Sequence, residues 1–449
     1  MAFGSVNISR LLVEVRATFS LGVPIVIALI AQTAMSITDL ILVGRLGLDQ
    51  VAGVSLGLTV YIPLMLFALG IVTAISPRIS QAYGAQELAT VRHIAKQGCW
   101  VALAVSIPAF VTLMFTEPLL VFLGQDRELA SIAGEYNKGS AIGLPAFILY
   151  INFRCVLTNV GQPKPTTVVM LTAVPLNAVI GYFLIFGGPG IEGQGVFGAG
   201  VASSLVRLGV TAAVIFIVVH KESLRSLNLF HGSWRPDCHM FCSIFAMGLP
   251  IACRIVLAEG MLSMLALIIG PMGAGPLVAH TIASRLLSLT LVVALGFSGA
   301  AATRVGWGVG KGDLKDARVA GFAAVGITIA VTLIASIALF LLPREISQIL
   351  FSVTDAVTLD LLENLLPIVA IYQIINGAQI VLIGALLGLS DVFIPTFLVL
   401  SCTWGLGLGI GLLLALGFGF GVLGLWAGLT FGVAALLLMA CIRFIRKTG

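Results

Sequence analysis

Twelve stretches of mostly apolar residues follow one another along this chain, over 21–44, 51–75, 98–115, 140–160, 166–186, 196–219, 245–270, 277–300, 319–342, 365–388, 392–417 and 422–442. Each approaches the roughly 20 residues that a helix needs to cross the hydrocarbon core of a bilayer. Lipid offers no water to unpaired amides, so such segments close their hydrogen bonds internally as helices. The expected fold class is therefore an all-α integral membrane protein, with twelve transmembrane helices in two pseudo-symmetric six-helix lobes. Composition agrees: of 449 residues, 59% are hydrophobic and 10% charged, with a mean hydropathy of +1.12. Soluble domains carry roughly 25% charged residues. The opening MAFGSVNISRLLVEVRATFS lacks the short apolar core and small-residue cleavage site of a signal peptide. The first apolar run is thus expected to stay as a span.

The net charge of +5 comes without any Lys/Arg run that would bind nucleic acid. It follows the loops instead. With the N-terminus in the cytoplasm, seventeen Lys and Arg fall on inside segments. Four fall outside (Arg45, Arg127, Lys138 and Arg344), and three lie within spans (Arg207, Arg254 and Arg285), with Arg154, towards the inner end of the fourth span, counted inside. The positive-inside rule then places both termini in the cytoplasm and fits an even number of spans. Seven cysteines are scattered without a disulfide pattern. Cys238, His239 and Cys242, with His231 nearby, come closest to a metal site but lack paired C-x-x-C spacing.

The two halves match at an offset of 226 residues. Gly22, Pro24, Gly44, Gly47, Gly70, Arg78, Gly84, Leu88 and Arg92 recur as Gly248, Pro250, Gly270, Gly273, Gly296, Arg304, Gly310, Leu314 and Arg318. Six spans separate the copies, so the repeat is parallel. The expected organisation is an N-terminal lobe over 1–219, a cytoplasmic linker over 220–240 and a C-terminal lobe over 241–449. Transporters commonly place the substrate path between such repeats. Pro24 and Pro250 each permit a kink, static or hinged. No G-x-x-x-x-G-K-[ST] occurs, so an ion gradient rather than ATP is the expected energy source.

Ionisable groups inside the bilayer are costly and are the functional candidates. Gln32, Ser36 and Asp39 follow i, i+4, i+7 spacing and share one helix face. A carboxyl there can exchange a proton as its surroundings alternate; a helix-end Asp touching water is the plainer reading. Glu259 lies near the middle of the seventh span, and a static salt bridge to Arg285 competes with a cavity role. Gln373, Asn376 and Gln379 make a polar stripe in the tenth span. It either lines a cavity or bonds neighbouring helices.

The sequence resembles the multidrug and toxic compound extrusion family over essentially its whole length. The resemblance rests on Pro24, Gln32, Asp39 and Gly44, on ISPRISQAYGA from Ile75, LPAFILYINFRCVL from Leu144, PLNAVIGYFLIFG from Pro175 and GVFGAGVASS from Gly195. LPIACRIVLAEGM from Leu249 and YQIINGAQIVLIGALLG from Tyr372 extend it. The resemblance implies an antiporter that exports organic cations and other drugs in exchange for sodium ions or protons, with no cofactor. It implies that Asp39 is the acid of an N-lobe cation site, with Asn177 and Ser203 as polar partners and Tyr136 as a further match. It also implies that Glu259 is the C-lobe acid. Two departures stand out. Asn376 stands where an aspartate is often found, and Ala173 where an asparagine often lies. The first loses a charge at a C-lobe sodium site and tilts the expectation towards proton coupling or an N-lobe site. A bound sodium is expected at Asp39 or Glu259, if anywhere.

A flippase for lipid-linked saccharides, from the same broader superfamily, is the alternative. Such proteins usually hold pyrophosphate with several intramembrane cations, and here three are accompanied by acids. No H-E-x-x-H and no paired intramembrane aspartates argue for an enzyme. The expected protein is a monomer of the inner (plasma) membrane that handles small organic, cationic substrates and binds no nucleic acid.

Overall fold

The structure, a computed structural model, describes residues 8–188, 190, 192–225 and 227–449. The first half comprises α1 (Ile8–Gly44), α2 (Leu48–Thr73), α3 (Ile75–Gly84), α4 (Leu88–Met114), α5 (Thr116–Phe122), α6 (Arg127–Ala141), α7 (Leu144–Asn159), α8 (Lys164–Phe186) and α9 (Gly195–His220). A short α10 (Glu222–Arg225) precedes α11 (Cys238–Ile269), α12 (Ala274–Gly310), α13 (Leu314–Leu341), α14 (Pro343–Phe351) and α15 (Ala356–Gly388). The next crossing, Phe393–Gly417, alternates between α16 (Phe393–Val399), α17 (Leu408–Leu412) and π-helical turns. The last helix is α18 (Gly421–Thr448).

Eleven helical runs among the described residues are long and apolar enough to cross a membrane, and the bent pair α6–α7 makes twelve. That pair is the main departure from the expected spans. The fourth crossing does not begin at Ser140; it starts at Arg127 and bends by 49° before Leu144. The chain supplies the break as Gly139, Gly143 and Pro145, and a bend in lipid must re-satisfy the freed backbone groups. Ser204 on α9 does so: its hydroxyl donates to the Gly139 carbonyl at 2.6 Å and accepts the Gly143 N–H at 2.8 Å. Asp126 caps the start of the pair, accepting from the amides of Glu128 and Leu129.

The 226-residue repeat reappears in the backbone. Gly47 opens α2 at φ 130°, and Gly273 opens α12 at φ 115°. Both conformations are strained for any residue with a Cβ. Helix contacts divide the chain into two compact units, Ile27–Ile255 and Met1–Val26 with Val256–Gly449. The division falls inside α1 and α11, so each unit takes the opening turns of the other half's first helix.

Within each unit, small residues let those turns in close. A Cβ on Gly70 would lie 2.4 Å from Ala252 Cα, and one on Gly248 would lie 2.6 Å from Ile71 Cα. In the other unit, Gly296 meets Val26 and Gly22 meets the Phe297 ring. The four pairs are the same two contacts shifted by 226 residues. Close approach of this kind is how helices associate where lipid removes the hydrophobic drive. The repeated arginines follow the same exchange. Arg304 forms a two-point ion pair with Glu14 in one unit, and in the other Arg78 donates to Ser243 Oγ at 2.5 Å and to Met240 Sδ at 3.2 Å.

The connection between the halves is docked on α4, inside the Ile27–Ile255 unit. Its carbonyls at Leu227, His231, Ser233, Trp234 and Arg235 accept from Arg92, Lys96, Gln97 and Trp100. Asp237 joins it to α11, accepting from the amides of His239 and Met240 and pairing with His93 at 3.1 Å. Those bonds hold its carboxyl below the ordinary carboxylate range, the Met240 amide contributing most. Cys238 and Cys242 are free and exposed. No cluster of three or more His, Cys, Asp or Glu among the described residues is placed to hold a metal.

Candidate functional site

The polar stripe of α1 opens into a cavity of about 240 Å³ within the Ile27–Ile255 unit. Gln32, Ser36 and Asp39 lie on its wall, together with Tyr136, Ser203 and Arg207. Tyr61 also lines it, and the rest is apolar, including Met35, Met65, Met170 and Phe147. Helical spacing on α1 brings the three stripe residues to one face, as the sequence implied.

Asp39 is the fixed point. Asn177 Nδ2 on α8 donates to Oδ1 at 2.6 Å, and Ser203 Oγ on α9 donates to Oδ2 at 2.8 Å. Asn177 and Ser203 are both buried, at 0% and 2% exposure, so neither donor is lost to solvent. Pro175 lies inside α8, two residues before Asn177, and Ser203 is the neighbour of the serine that closes the α6–α7 bend. The carbonyl oxygen of Asn177 is buried beside Asp39 without a hydrogen-bond partner. An amide N–H and a hydroxyl thus converge on one carboxylate, a group suited to a proton or a hard cation. Tyr136, on α6, is buried in the same wall.

Two contributors escaped the sequence reading as members of this site. Arg207 was legible only as an intramembrane cation; it stands one turn beyond Ser203 on α9. It donates to Tyr61 Oη on α2, and its guanidinium lies 5.0 Å from the Tyr61 ring centroid and 5.5 Å from that of Phe147. It makes no ion pair with Asp39, although its charge acts on that carboxyl. Intramembrane charge and i, i+4 spacing from Ser203 could have singled out Arg207. Nothing in the sequence singles out Tyr61.

The second-half candidates lie in the other unit. Gln373 is buried and engaged: Nε2 donates to Ser336 at 2.7 Å, and Oε1 accepts from Thr290 at 3.2 Å. It therefore ties α12, α13 and α15 together. Asn376, three residues on, is half-buried. Glu259 is exposed on α11 and forms no ion pair among the described residues, with Arg285 or otherwise. The structure bonds Asn177 and Ser203 to Asp39 and sets Gln32 and Tyr136 on the wall of the same cavity. Glu259, Gln373 and Asn376 belong to the other unit.

The sequence matches the MatE family twice, over residues 24–183 and 250–413, with the two matches beginning at the equivalent prolines. The chain belongs to the MatE family. Its members are transporters rather than enzymes. A protein of Bradyrhizobium diazoefficiens described as "Probable multidrug resistance protein NorM" is 33% identical over 429 residues, covering 95% of this chain and 92% of its own. A protein of Brucella suis with the same description is 33% identical over 438 residues, covering 96% and 93%. Among solved structures, a eukaryotic MATE transporter superposes with a TM-score of 0.85 at 19% identity, covering 98% of each chain. The Vibrio cholerae MATE transporter VcmN in the bent form gives 0.86 at 16%, again over 98% of each. The MatE fold thus extends over nearly the whole chain, including the broken fourth crossing.

Proposed function

We propose that this MatE protein exports small organic, cationic compounds across the inner membrane by alternating access, in exchange for protons or sodium ions. The observation that carries the reading is Asp39, a single carboxylate held by Asn177 and Ser203 in the wall of a mostly apolar cavity. A proton or sodium ion arriving at Asp39 competes with whatever cation the cavity holds. That competition is the elementary step of exchange. Gln32 and Tyr136 line the substrate's path, and Asn177, with its amide turned to present the oxygen, is the further ligand for a sodium ion. Glu259, exposed and without an ion-pair partner among the described residues, is read as a second cation contact, and Asn376 on α15 as a further polar one. Gln373 braces α12, α13 and α15 against one another. The close relatives described as multidrug resistance proteins support this reading. A lipid-linked saccharide flippase is less well served, because the cavity wall offers a single cation where a pyrophosphate calls for several. Both termini and the 220–240 connection lie on the cytoplasmic side, and the working unit is a monomer.

Purified protein in proteoliposomes, with sodium and proton gradients imposed separately, tests the proposal. Export of a cationic dye should follow one of the gradients, and Asp39→Asn should abolish it at unchanged protein level. Full gradient-driven export by Asp39→Asn would refute the assignment. Topology is tested by labelling: an impermeant thiol reagent should not reach Ser233→Cys in intact cells, in a background without the native cysteines.

A further inference from the structure

The cavity around Asp39 has a second pole that simple cation export leaves without a task. Arg207 sits in the same wall, and an arginine within a membrane span is retained only where something answers its charge. Asp39 does not pair with it directly: its carboxylate oxygens accept from Asn177 and Ser203, and no ion pair forms. Tyr61 accepts one of the five guanidinium N–H groups, and the Tyr61 and Phe147 rings hold the plane from the side. The remaining donors belong to a residue that lines the cavity. Guanidinium groups of this kind select carboxylates and other planar anions through paired hydrogen bonds.

We propose that Arg207, positioned by Tyr61, is a specificity-determining residue that makes this cavity a receptor for amphipathic zwitterions. The ammonium group of the substrate meets Asp39, its carboxylate meets Arg207, and its apolar body lies against Met35, Met65 and Met170. Thioether side chains adapt to differently shaped apolar bodies, so the two charges fix orientation while the methionines tolerate variety. Among the cations of the proposed exchange, those that also carry a carboxylate are favoured, because that group answers Arg207 while the ammonium answers Asp39. This inference rests on the proposed role of Asp39 in substrate binding, and the test separates the two.

The probes are Nα-dansyl-lysine, a zwitterion at its carboxylate and side-chain ammonium, and its methyl ester, a monocation of nearly the same shape. Binding to the full chain in lipid nanodiscs is read by dansyl fluorescence. The wild type should favour the zwitterion by about tenfold, the factor that one hydrogen bond between charged groups is worth. Arg207→Gln should erase that preference by weakening the zwitterion alone, leaving the ester as tight or tighter. Tyr61→Phe should reduce the preference in part, and Arg207→Lys should retain part of it. Should Arg207→Gln melt early, the Arg207→Lys and Tyr61→Phe proteins carry the comparison. Equal binding of the two probes to the wild type would overturn the proposal. So would Arg207→Gln weakening both probes alike, the signature of a residue that acts only through Asp39. Asp39→Asn should weaken both probes. If both probes bind Asp39→Asn normally while the Arg207 dependence of the zwitterion persists, the reading of Asp39 fails and that of Arg207 stands.

Discussion

Glu14→Gln tests the exchange of opening helix turns at its most electrostatic point. Arg304 reaches Glu14 at two points, with Nε 3.1 Å from Oε2 and a terminal nitrogen on Oε1. The side chains are 14% and 7% exposed, so water does little to screen the pair. Removing one partner of a buried pair strands the other charge and costs about 3–5 kcal/mol. The residual exposure of Arg304 favours the lower end. For a body of this size, about 3 kcal/mol corresponds to a thermal midpoint lower by roughly 6–12 °C. The repeat supplies an internal control. Shifted by 226 residues, Glu14 becomes Met240, and there Arg78 has only Ser243 and a thioether, with its Nε buried and unsatisfied. Met240→Glu should therefore raise the midpoint by giving Arg78 the partner that its counterpart already has. The assay is the melting of detergent-purified protein followed by size exclusion, for Glu14→Gln, Arg304→Gln, the double variant and Met240→Glu. The double variant should recover most of the loss. A double variant as unstable as the sum of the singles, together with a destabilising Met240→Glu, would show that these arginines do not act as paired clamps.

Ser204→Ala should cost about 1–3 kcal/mol, because it leaves the Gly139 carbonyl and the Gly143 amide of the bent crossing unpaired in a dry site; the melting of the purified protein reads it. Asp237→Ala should loosen the connection from α4 without unfolding the helices, seen as faster protease cleavage between residues 225 and 238. Because the bonds to Asp237 lower its pKa, its contribution is present above the ordinary carboxylate range and is lost as pH falls through the depressed value. Cleavage should accelerate only at strongly acid pH in the wild type, and should lose that dependence in Asp237→Ala. Gly70→Leu should disrupt packing against Ala252, where even a Cβ would collide with the backbone, and yield of folded protein after purification measures it.

Hydrophobic length locates the crossings apart from the first half of the fourth, Arg127–Ala141, whose charged residues hide it. The repeat register was equally legible, and Gly47 and Gly273 bear it out in their shared backbone conformation. What length and periodicity do not specify is the partner of an apolar face. Nothing local in residues 14–26 distinguishes α2 from α12 as their neighbour, so the exchange of opening turns emerges only in three dimensions. Sites follow the same logic. Gln32, Ser36 and Asp39 share a helix and were readable from spacing, whereas Asn177 and Ser203 lie 138 and 164 residues from Asp39 and came from resemblance. Arg207 and Tyr61 meet across 146 residues and were not joined at all. The tenth-span stripe left two roles open, and for Gln373 its bonds to Thr290 and Ser336 bear on the choice.

The exchanged turns also have a history in time. During synthesis the segment from Glu14 to Val26 leaves the ribosome long before its partners at Gly296, Phe297 and Arg304 exist. At roughly 5–20 residues per second, that delay is on the order of 15–60 s. Through it, the start of α1 waits at the membrane with an unneutralised Glu14 and an uncovered Gly22. The opening turns of α11, by contrast, find α2 already in place when they emerge. A nascent chain paused after Ile255 would hold every residue of the first unit to be completed, attached to a leading segment that has nothing to pack on.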